Sequence, residues 1–390
     1  MTQLILLEKD EFNLRLDKVR REMAPSHTDA ILVSDNAALY YLTGRVYSGY
    51  AYIPATGHPL FFVKRPVTLG GDFVQHIRKP EQIAETIGLN VPATIGLELS
   101  AVPYSAIIRL KNIFPQAAMT DATAMLSAAR AVKTPFEIEK ITMSGIRQER
   151  VYRRVPHLFQ EGMTDIELQV DIERTSRLEG CLGQFRISGN DMELYMGNVL
   201  VGENADIPTP YDFAMGGEGL DPSLPVGCNG TVIREKESVM VDVNGNFTGY
   251  MTDMTRTFAV EQLDYTAMKA HRCSIDICHT LAAMARPGVE AKALYEKAEE
   301  MAREAGLHNY FMGHRQKAGF VGHGLGIEIN EHPVIAPRSR DILAEGNVVA
   351  FEPKFVIPGT GAVGIENTYV ITADGTRCLT NAPEEITYFL

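Results

Sequence analysis

The sequence predicts an α/β domain followed by an α+β domain. Strand-length apolar runs alternate with helical patterns through about the first 130 residues. A strong helix start follows at residues 134–137, and two pairs of helical segments then flank several strand-like segments. Alternating elements are typical of α/β domains, and segregated helices and strands of α+β domains. We therefore predict domains spanning residues 1–132 and 133–390.

The first domain is predicted to open with a helix, because Phe12, Leu16, Val19 and Met23 recur at the spacing of one helical face. Three apolar runs of strand length follow, separated by Gly, Pro and Asn residues. The predicted strands cover residues 30–33, 59–63 and 94–97, and further helices are predicted for residues 104–113 and 121–131.

The second domain is predicted to begin its first helix at Thr134, with Pro135 at the first helical position and Glu137 completing a capping box. This helix is expected to end near Phe159, and a second capping pattern starts at Thr164. Further helices are predicted for residues 266–285 and 290–305, and strands for residues 238–243, 250–260, 325–329, 348–352 and 363–372.

Composition restricts the class of partner. The formal net charge of −12 argues against a nucleic-acid partner. No apolar run approaches the roughly 18 residues of a membrane helix, and the N-terminal sequence lacks the features of a signal peptide. The five cysteines are odd in number and scattered, which favours reduced thiols over a disulfide framework. We therefore expect a cytoplasmic protein with no membrane partner.

Two aspartates stand out in the second domain. Asp242 interrupts an apolar strand, and Asn244-Gly245 after it is a hairpin signal that would bring Asp253 onto a neighbouring strand. Buried aspartates are costly unless they are paired or bind metal. The alternative is a surface turn in which Asp253 forms a salt bridge with Arg256.

Three more residues extend this set. His323 lies between two glycines, Glu352 ends an apolar strand, and Glu366 begins one. Each alone also fits an incidental histidine in a turn or a solvated glutamate. Together, four carboxylates would balance two divalent cations. Oxygen ligands with one imidazole suit manganese, cobalt, zinc or iron.

These segments resemble the pita-bread metallopeptidases, a family that includes Xaa-Pro dipeptidases, Xaa-Pro aminopeptidases and the related creatinase. The resemblance covers nearly the whole chain. In the second domain the resemblance rests on five features: the eleven-residue step from Asp242 to Asp253, the run at residues 249–258, the histidine motif at residues 322–326, Glu352-Pro353, and Glu366 fourteen residues after Glu352. It also rests on an N-terminal motif at residues 41–44 and on a motif at the domain junction, residues 130–138.

The resemblance implies a creatinase-like N-terminal domain, a pita-bread catalytic domain and a homodimer. It implies two divalent ions, with manganese first and cobalt, zinc or iron as alternatives. One ion would be held by Asp242, Asp253 and Glu366, and the other by Asp253, His323 and Glu352, with Asp253 and Glu366 bridging. A metal-bridging hydroxide would attack a peptide carbonyl, and Glu352 would be the catalytic residue that passes a proton to the leaving amine.

The sequence departs from the family where substrate is handled. Pro225 and Asn330 stand where the peptidases keep histidines, and Gly364 stands where they keep an arginine. His332 is shifted two residues from its usual place, a spacing that keeps the face of a strand, so it either substitutes for the missing histidine or lies at the rim of the site. Lys354 replaces a usual glycine. Asn330, His332 and Lys354 are the predicted substrate-binding residues, Lys354 either returning the lost positive charge or facing solvent.

Three functions follow as hypotheses. The first is a dinuclear-metal hydrolase acting on small peptides as an Xaa-Pro dipeptidase or aminopeptidase. The second is a lyase or another hydrolase that uses the same metal centre on a small non-peptide substrate. The third is an inactive binding homologue, against which the five intact ligand motifs argue.

Overall fold

The computed structural model describes residues 2–88, 91–189 and 195–390. It divides into two compact units, Met1–Arg130 and Ala131–Leu390. The domain boundary at residue 132 stays a prediction. Among the described residues, no helix is long and apolar enough to cross a membrane.

The first unit is a mixed six-stranded sheet with helices, as predicted for an α/β domain. Its strands are β1 (Thr2–Gln3), β2 (Ala30–Val33), β3 (Ser48–Pro54), β4 (Leu60–Arg65), β5 (Leu69–Gly70), β6 (Val74–His76), β7 (Thr94–Leu97) and β8 (Ala118–Asp121). Its helices are α1 (Lys9–Met23), α2 (Asn36–Thr43), α3 (Glu81–Ile87), α4 (Tyr104–Ile113) and α5 (Thr123–Ala131). Six of these strands form the sheet, in the order β6-β4-β3-β2-β7-β8, and β1 pairs with β5 outside it. The sequence did not predict β3 or β8, since neither is a continuous apolar run.

The helices of the second unit start where the capping patterns predict. They are α6 (Pro135–Tyr152), α7 (Asp165–Leu178), α8 (Tyr265–Met284) and α9 (Ala291–Glu304). The side chains of Thr134 and Thr164 each accept a hydrogen bond from the backbone N–H of a glutamate three residues on, and that glutamate reciprocates. Helix α6 ends before the predicted Phe159, because Pro156 lies in a separate 3₁₀ turn and has no N–H to continue the helix.

The strands of the second unit form two larger sheets and two short ribbons. They are β9 (Gly197–Val201), β10 (Ser238–Val243), β11 (Gly245–Asn246), β12 (Met251–Thr252), β13 (Thr255–Ala259), β14 (Gly322–Gly324), β15 (Glu331–Ile335), β16 (Val348–Phe351), β17 (Lys354–Ile357), β18 (Gly361–Gly364), β19 (Asn367–Thr372), β20 (Gly375–Cys378) and β21 (Thr387–Tyr388). One sheet has the order β21-β13-β10-β9, the other β15-β14-β16-β19-β20. Helix α8 packs on β17 and β18, so their apolar side chains share one core with it.

Two predicted strands are broken at an acidic residue. The predicted strand 250–260 stops for Asp253 between β12 and β13, and the predicted strand 363–372 stops for Glu366 between β18 and β19. The predicted strand at 325–329 is wrong, because the strand there is β14 and it ends at Gly324. All five cysteines are free, and four of them are buried.

Helix α8 carries a buried histidine, His271, whose charged form is disfavoured in the folded protein. His271 is 2% exposed, and its Nε2–H donates to the carbonyl of Glu384 at 2.8 Å. Its Nδ1 is buried and has no hydrogen-bond partner among the described residues. Burial is the main cause that lowers the pKa of His271 to about 4. It outweighs the raising effects of the Glu384 carbonyl and of Glu385, and the charges of Arg256 and Arg272 lower the pKa further.

We expect His271 to destabilise the fold as pH falls from 6.5 to 4. Its folded pKa lies below the unfolded value, so protons bind the unfolded chain first, and the loss amounts to about 3 kcal/mol. His271→Gln keeps an N–H donor for the Glu384 carbonyl but does not titrate. Urea unfolding at pH 7 and pH 4 should therefore show a greater loss for the wild type than for this variant. Equal losses in the two proteins would contradict the assignment.

Candidate metal centre

The five predicted metal ligands line one cavity of about 430 Å³ in the second unit. Asp242 lies near the end of β10, and His323 is the central residue of β14. The other three occupy the breaks between strands, with Asp253 after β12, Glu352 after β16 and Glu366 after β18. The breaks allow these carboxylates to converge from strands whose pairing is otherwise regular.

The predicted hairpin between the two aspartates is present, although Asp253 is not on a paired strand. Asp242 on β10 faces Thr255 on β13, and Gly245 faces Thr252. Asp253 is only 8% exposed, so the alternative of a surface turn is wrong.

Arg256 does not form the salt bridge that this alternative required. Its guanidinium donates to the backbone carbonyls of Glu366 and Ala382, and to Oδ1 of Asn367. Arg256 therefore supports the segment that carries Glu366, and leaves the carboxylate of Asp253 to the cavity.

Four donor atoms converge on one side of the cluster. His323 Nε2 lies 3.3 Å from Glu352 Oε1, and 3.9 Å from both Asp253 Oδ2 and Glu366 Oε1. Glu352 Oε1 and Glu366 Oε1 are buried without a hydrogen-bond partner among the described residues. Unpaired buried carboxylate oxygens are costly. Asp253, His323 and Glu366 place donor atoms within 4.8 Å of one another, a set that fits one divalent cation, and Glu352 Oε1 lies beside the same imidazole nitrogen.

The imidazole of His323 is oriented for this role. Its Nδ1 lies 3.1 Å from the carbonyl of Gly324 and donates to it, because a carbonyl can only accept. In the neutral ring Nε2 is then the free nitrogen, and it points at the carboxylates. A backbone partner that sets the tautomer in this way is typical of metal-binding histidines.

The remaining side of the cluster is occupied by an ammonium group. Lys354 Nζ donates to Asp242 Oδ2 at 2.8 Å, Glu352 Oε2 at 2.9 Å and Glu366 Oε2 at 3.2 Å. The residue is fully buried, so the prediction of a solvent-facing lysine is wrong. Lys354 is also not among the residues that line the cavity. Its position supports the other prediction, a positive charge returned to the site.

The pKa values show a cluster with excess negative charge. Burial, and next the Asp242 carboxylate, raises the pKa of Asp253 to about 7. Burial and the carboxylates of Asp253 and Glu352 hold the pKa of Glu366 well above its usual range. Without a cation, these two acids retain protons that a divalent ion would replace.

The two cationic groups have the opposite effect on Glu352. Burial by itself would raise its pKa, but Lys354 and His323 outweigh burial and lower the pKa to about 2. Burial likewise opposes charge on His323, yet the adjacent carboxylate of Glu352, 3.3 Å from its Nε2, raises the pKa of this imidazole to about 10. For Lys354, the surrounding carboxylates overcome burial and hold its pKa well above the usual value. Glu352 is therefore more strongly ionised than Asp253 or Glu366.

Of the three predicted substrate-binding residues, Asn330 lines the cavity, whereas His332 and Lys354 do not. Asn330 lines the cavity, and its amide exchanges hydrogen bonds of 2.8 Å with the backbone of Ser188. His332 does not line it, since its imidazole is half exposed and bonds Asp341 at 2.8 Å. Of the two alternatives for His332, the structure does not support substitution for the missing histidine. A two-residue shift keeps the face only of a regular strand, and the β14/β15 register shifts at His323/Gly324, which leaves residues 332–333 outside the regular ladder.

Gly364 and Lys354 face each other across the β17/β18 ribbon. The backbone of Gly364 has φ +146°, and a Cβ there would lie 2.7 Å from the carbonyl oxygen of Pro353 and 3.0 Å from Cα of Lys354. An arginine at position 364 is therefore incompatible with this backbone. The positive charge near the cluster comes from the opposite strand.

The walls of the cavity were not predicted. Apolar side chains of Phe185, Ile187, Phe213 and Phe320 line it, together with the exposed Asp212. They lie in segments without regular strand or helix pairing, so no periodic pattern marks them. The one signal of these walls in the sequence was an aromatic residue beside a motif, namely Phe320 just before the histidine motif at residues 322–326.

Two family models match the chain. Residues 15–132 match the creatinase/prolidase N-terminal domain, and residues 139–373 match metallopeptidase family M24. An uncharacterized peptidase, YqhT of Bacillus subtilis, is 25% identical over 96% of this chain and 99% of its own length. The probable dipeptidase PepE of Mycobacterium tuberculosis is 29% identical over 68% of this chain and 62% of its own length.

Solved structures agree on the fold. The X-Pro aminopeptidase from Thermotoga maritima has a TM-score of 0.78 at 22% identity, covering 96% of this chain and 99% of that one. The Xaa-Pro dipeptidase from Bacillus anthracis has a TM-score of 0.80 at 20% identity, covering 97% and 99%. These likenesses confirm the predicted fold class of an α/β N-terminal domain and a pita-bread catalytic domain. The chain belongs to metallopeptidase family M24, a family of hydrolases, and carries its creatinase/prolidase N-terminal domain.

Proposed function

We propose that this protein is a divalent-metal-dependent peptidase that hydrolyses dipeptides with proline in the second position. One observation carries the proposal: the donors of Asp253, His323, Glu352 and Glu366 converge, two of them unpaired and buried, in a cavity lined by apolar side chains. The relative named Xaa-Pro dipeptidase from Pyrococcus horikoshii, 23% identical over 97% of this chain and 99% of its own length, points to the same substrate class.

Each donor has a role in this proposal. Asp253, His323, Glu352 and Glu366 hold a divalent ion, which supplies Lewis-acid chemistry to a peptide carbonyl. Glu352 also moves the proton. Its Oε2 accepts a hydrogen bond from Lys354 and its Oε1 faces the other donors of the proposed ion. This carboxylate is the group that would take a proton from water and pass it to the leaving amine.

Manganese is the ion that we propose first, with cobalt, zinc and iron as alternatives. A donor set of three carboxylates and one imidazole is hard and oxygen-rich, which suits manganese better than a thiolate site would. Of the two ions that the resemblance implies, a second would have to share Asp242 and Glu366 with Lys354.

The substrate in this proposal is a small peptide. A cavity of about 430 Å³ is of a size for a small ligand, and its aromatic wall suits a proline ring and an apolar side chain. Asn330 is the residue that we propose to meet the peptide, because its amide lines the cavity in a fixed orientation set by Ser188. A homodimer and a cytoplasmic location belong to the same proposal, on the resemblance and on the free thiols.

A dipeptide panel tests the proposal. Metal-free protein loaded with manganese should release proline from Ala-Pro and Leu-Pro, and leave the matched Ala-Ala and Leu-Ala intact or turn them over at least about tenfold more slowly. The tripeptide Ala-Pro-Ala separates a dipeptidase from an aminopeptidase. Absence of turnover with every Xaa-Pro peptide, in protein shown to contain metal, would overturn the proposal.

A further inference from the structure

The carboxylates of Glu352 and Glu366 divide their oxygens between two different environments. In each, Oε1 faces His323 and has no hydrogen-bond partner among the described residues. In each, Oε2 accepts a hydrogen bond from Lys354 Nζ. The third acceptor of this ammonium is Asp242, at 2.8 Å. Each of these carboxylates therefore turns one oxygen toward the imidazole of His323 and the other toward the ammonium group of Lys354.

Lys354 is held in this position by its own strand. Its backbone N–H donates to Sδ of Met312, and its carbonyl accepts from the N–H of Met312 at 2.8 Å. It pairs with Gly364 across β17/β18. The side chain is fully buried, so the ammonium is shielded from water. Withdrawing it would leave the oxygens of two buried glutamates and the partly buried Asp242 without this counter-charge.

A second metal ion would compete for the place of this ammonium. Divalent ions bind carboxylate oxygens at about 2.0–2.2 Å. An ion at that distance from Asp242 Oδ2 and Glu366 Oε2 would lie against Lys354 Nζ, which is 2.8 Å and 3.2 Å from these same atoms. Two cations in one buried position repel each other strongly, because little solvent screens them. The site as built accommodates one or the other.

We propose that the ammonium of Lys354 is the resident cation of one half of the centre, so that each chain binds a single divalent ion at Asp253, His323, Glu352 and Glu366. The proposal rests on the proposed metal site and specifies its stoichiometry. It also gives one explanation for two departures from the family, Gly364 and Lys354. Gly364 leaves space beside Cα of Lys354, where a Cβ would come within 3.0 Å, and Lys354 supplies the positive charge.

Metal stoichiometry tests this directly and does not depend on knowing the substrate. Full-length protein is freed of metal with chelator, loaded with excess manganese and passed through a desalting column. Manganese is then measured by mass spectrometry, and its spin state by electron paramagnetic resonance. We expect one manganese per chain and the spectrum of an isolated ion. Two per chain with a spin-coupled spectrum would overturn the inference and leave the peptidase proposal intact, whereas no bound metal would overturn both.

Lys354→Ala provides the complementary test. The substitution removes the ammonium and opens its space, so we expect manganese to rise from one to two ions per chain. The matched control is Lys269→Ala, an exposed lysine in α8 whose Nζ donates to the carbonyl of Ala305, and it should keep one ion. A folded Lys354→Ala protein that still binds one ion would overturn the inference. If the variant does not fold, the wild-type stoichiometry decides.

Discussion

Asp253→Asn is expected to reduce the hydrolysis of Ala-Pro by about 10³-fold or more in manganese-loaded protein. Asp253 Oδ2 lies 3.9 Å from His323 Nε2, among the donors proposed to hold the divalent ion. An amide removes one negative charge from that donor set. Metal catalysis contributes several kcal/mol to the transition state, and each 1.36 kcal/mol changes the rate tenfold. The measurement is kcat/KM for release of proline.

A loss of folding would not explain this result. Burial and the Asp242 carboxylate raise the pKa of Asp253 to about 7, so a neutral amide should be at least as well tolerated as the carboxylate in metal-free protein. We expect the thermal midpoint of the metal-free variant to equal or exceed that of metal-free wild type. Asp276→Asn, an exposed position in α8, is the matched control and should keep wild-type activity. Activity of Asp253→Asn within tenfold of wild type would remove Asp253 from the catalytic centre.

Manganese is expected to stabilise the wild-type protein against heat and not the Asp253→Asn variant. A ligand that binds only the folded state at a hundred times its dissociation constant adds about 2.7 kcal/mol. For a unit of this size, that corresponds to a rise of roughly 5–10 °C in Tm. The stabilisation arises because the ion binds carboxylates that converge only in the folded chain, where it replaces the protons on Asp253 and Glu366.

Scanning calorimetry with manganese or with chelator measures this effect. The Asp276→Asn control should respond as the wild type does, because its side chain lies outside the cavity. A wild-type Tm that is the same in manganese and in chelator would show that the acids of the cluster do not bind the ion in the folded state. That outcome would count against the metal site even if some peptide were hydrolysed.

Features that depend on a few adjacent residues were predictable from the sequence. The starts of α6 and α7 are set by capping boxes at Thr134 and Thr164, each complete within four residues. The apolar periods of α1, α8 and α9 likewise predicted helices within a residue or two of their observed limits, apart from the start of α1. The five predicted metal ligands line one cavity. They were predictable because each lies in a motif whose spacing along the sequence relates it to the others. Their binding of metal stays a prediction.

Breaks and register shifts in strands were not predictable, although the hairpin between Asp242 and Asp253 was. A continuous strand was expected through Asp253, and another through Glu366, yet the chain breaks at both and each carboxylate points inward. For His332, a place in the site and a rim position were both open, and the register shift at His323/Gly324 leaves its imidazole half exposed and outside the cavity lining.

The sequence by itself determined the family, the helix starts and the chemical identity of the donors, since these follow from local hydrogen bonding and from residue order. Only the tertiary structure decided which donors remain unpaired. Lys354 was expected either to return a positive charge to the site or to face solvent, and only the structure shows its ammonium among Asp242, Glu352 and Glu366. The depth and direction of a side chain are set by which strands pair and which helix covers them. A buried charge must find its partners within a few ångströms across strands that are far apart in the chain.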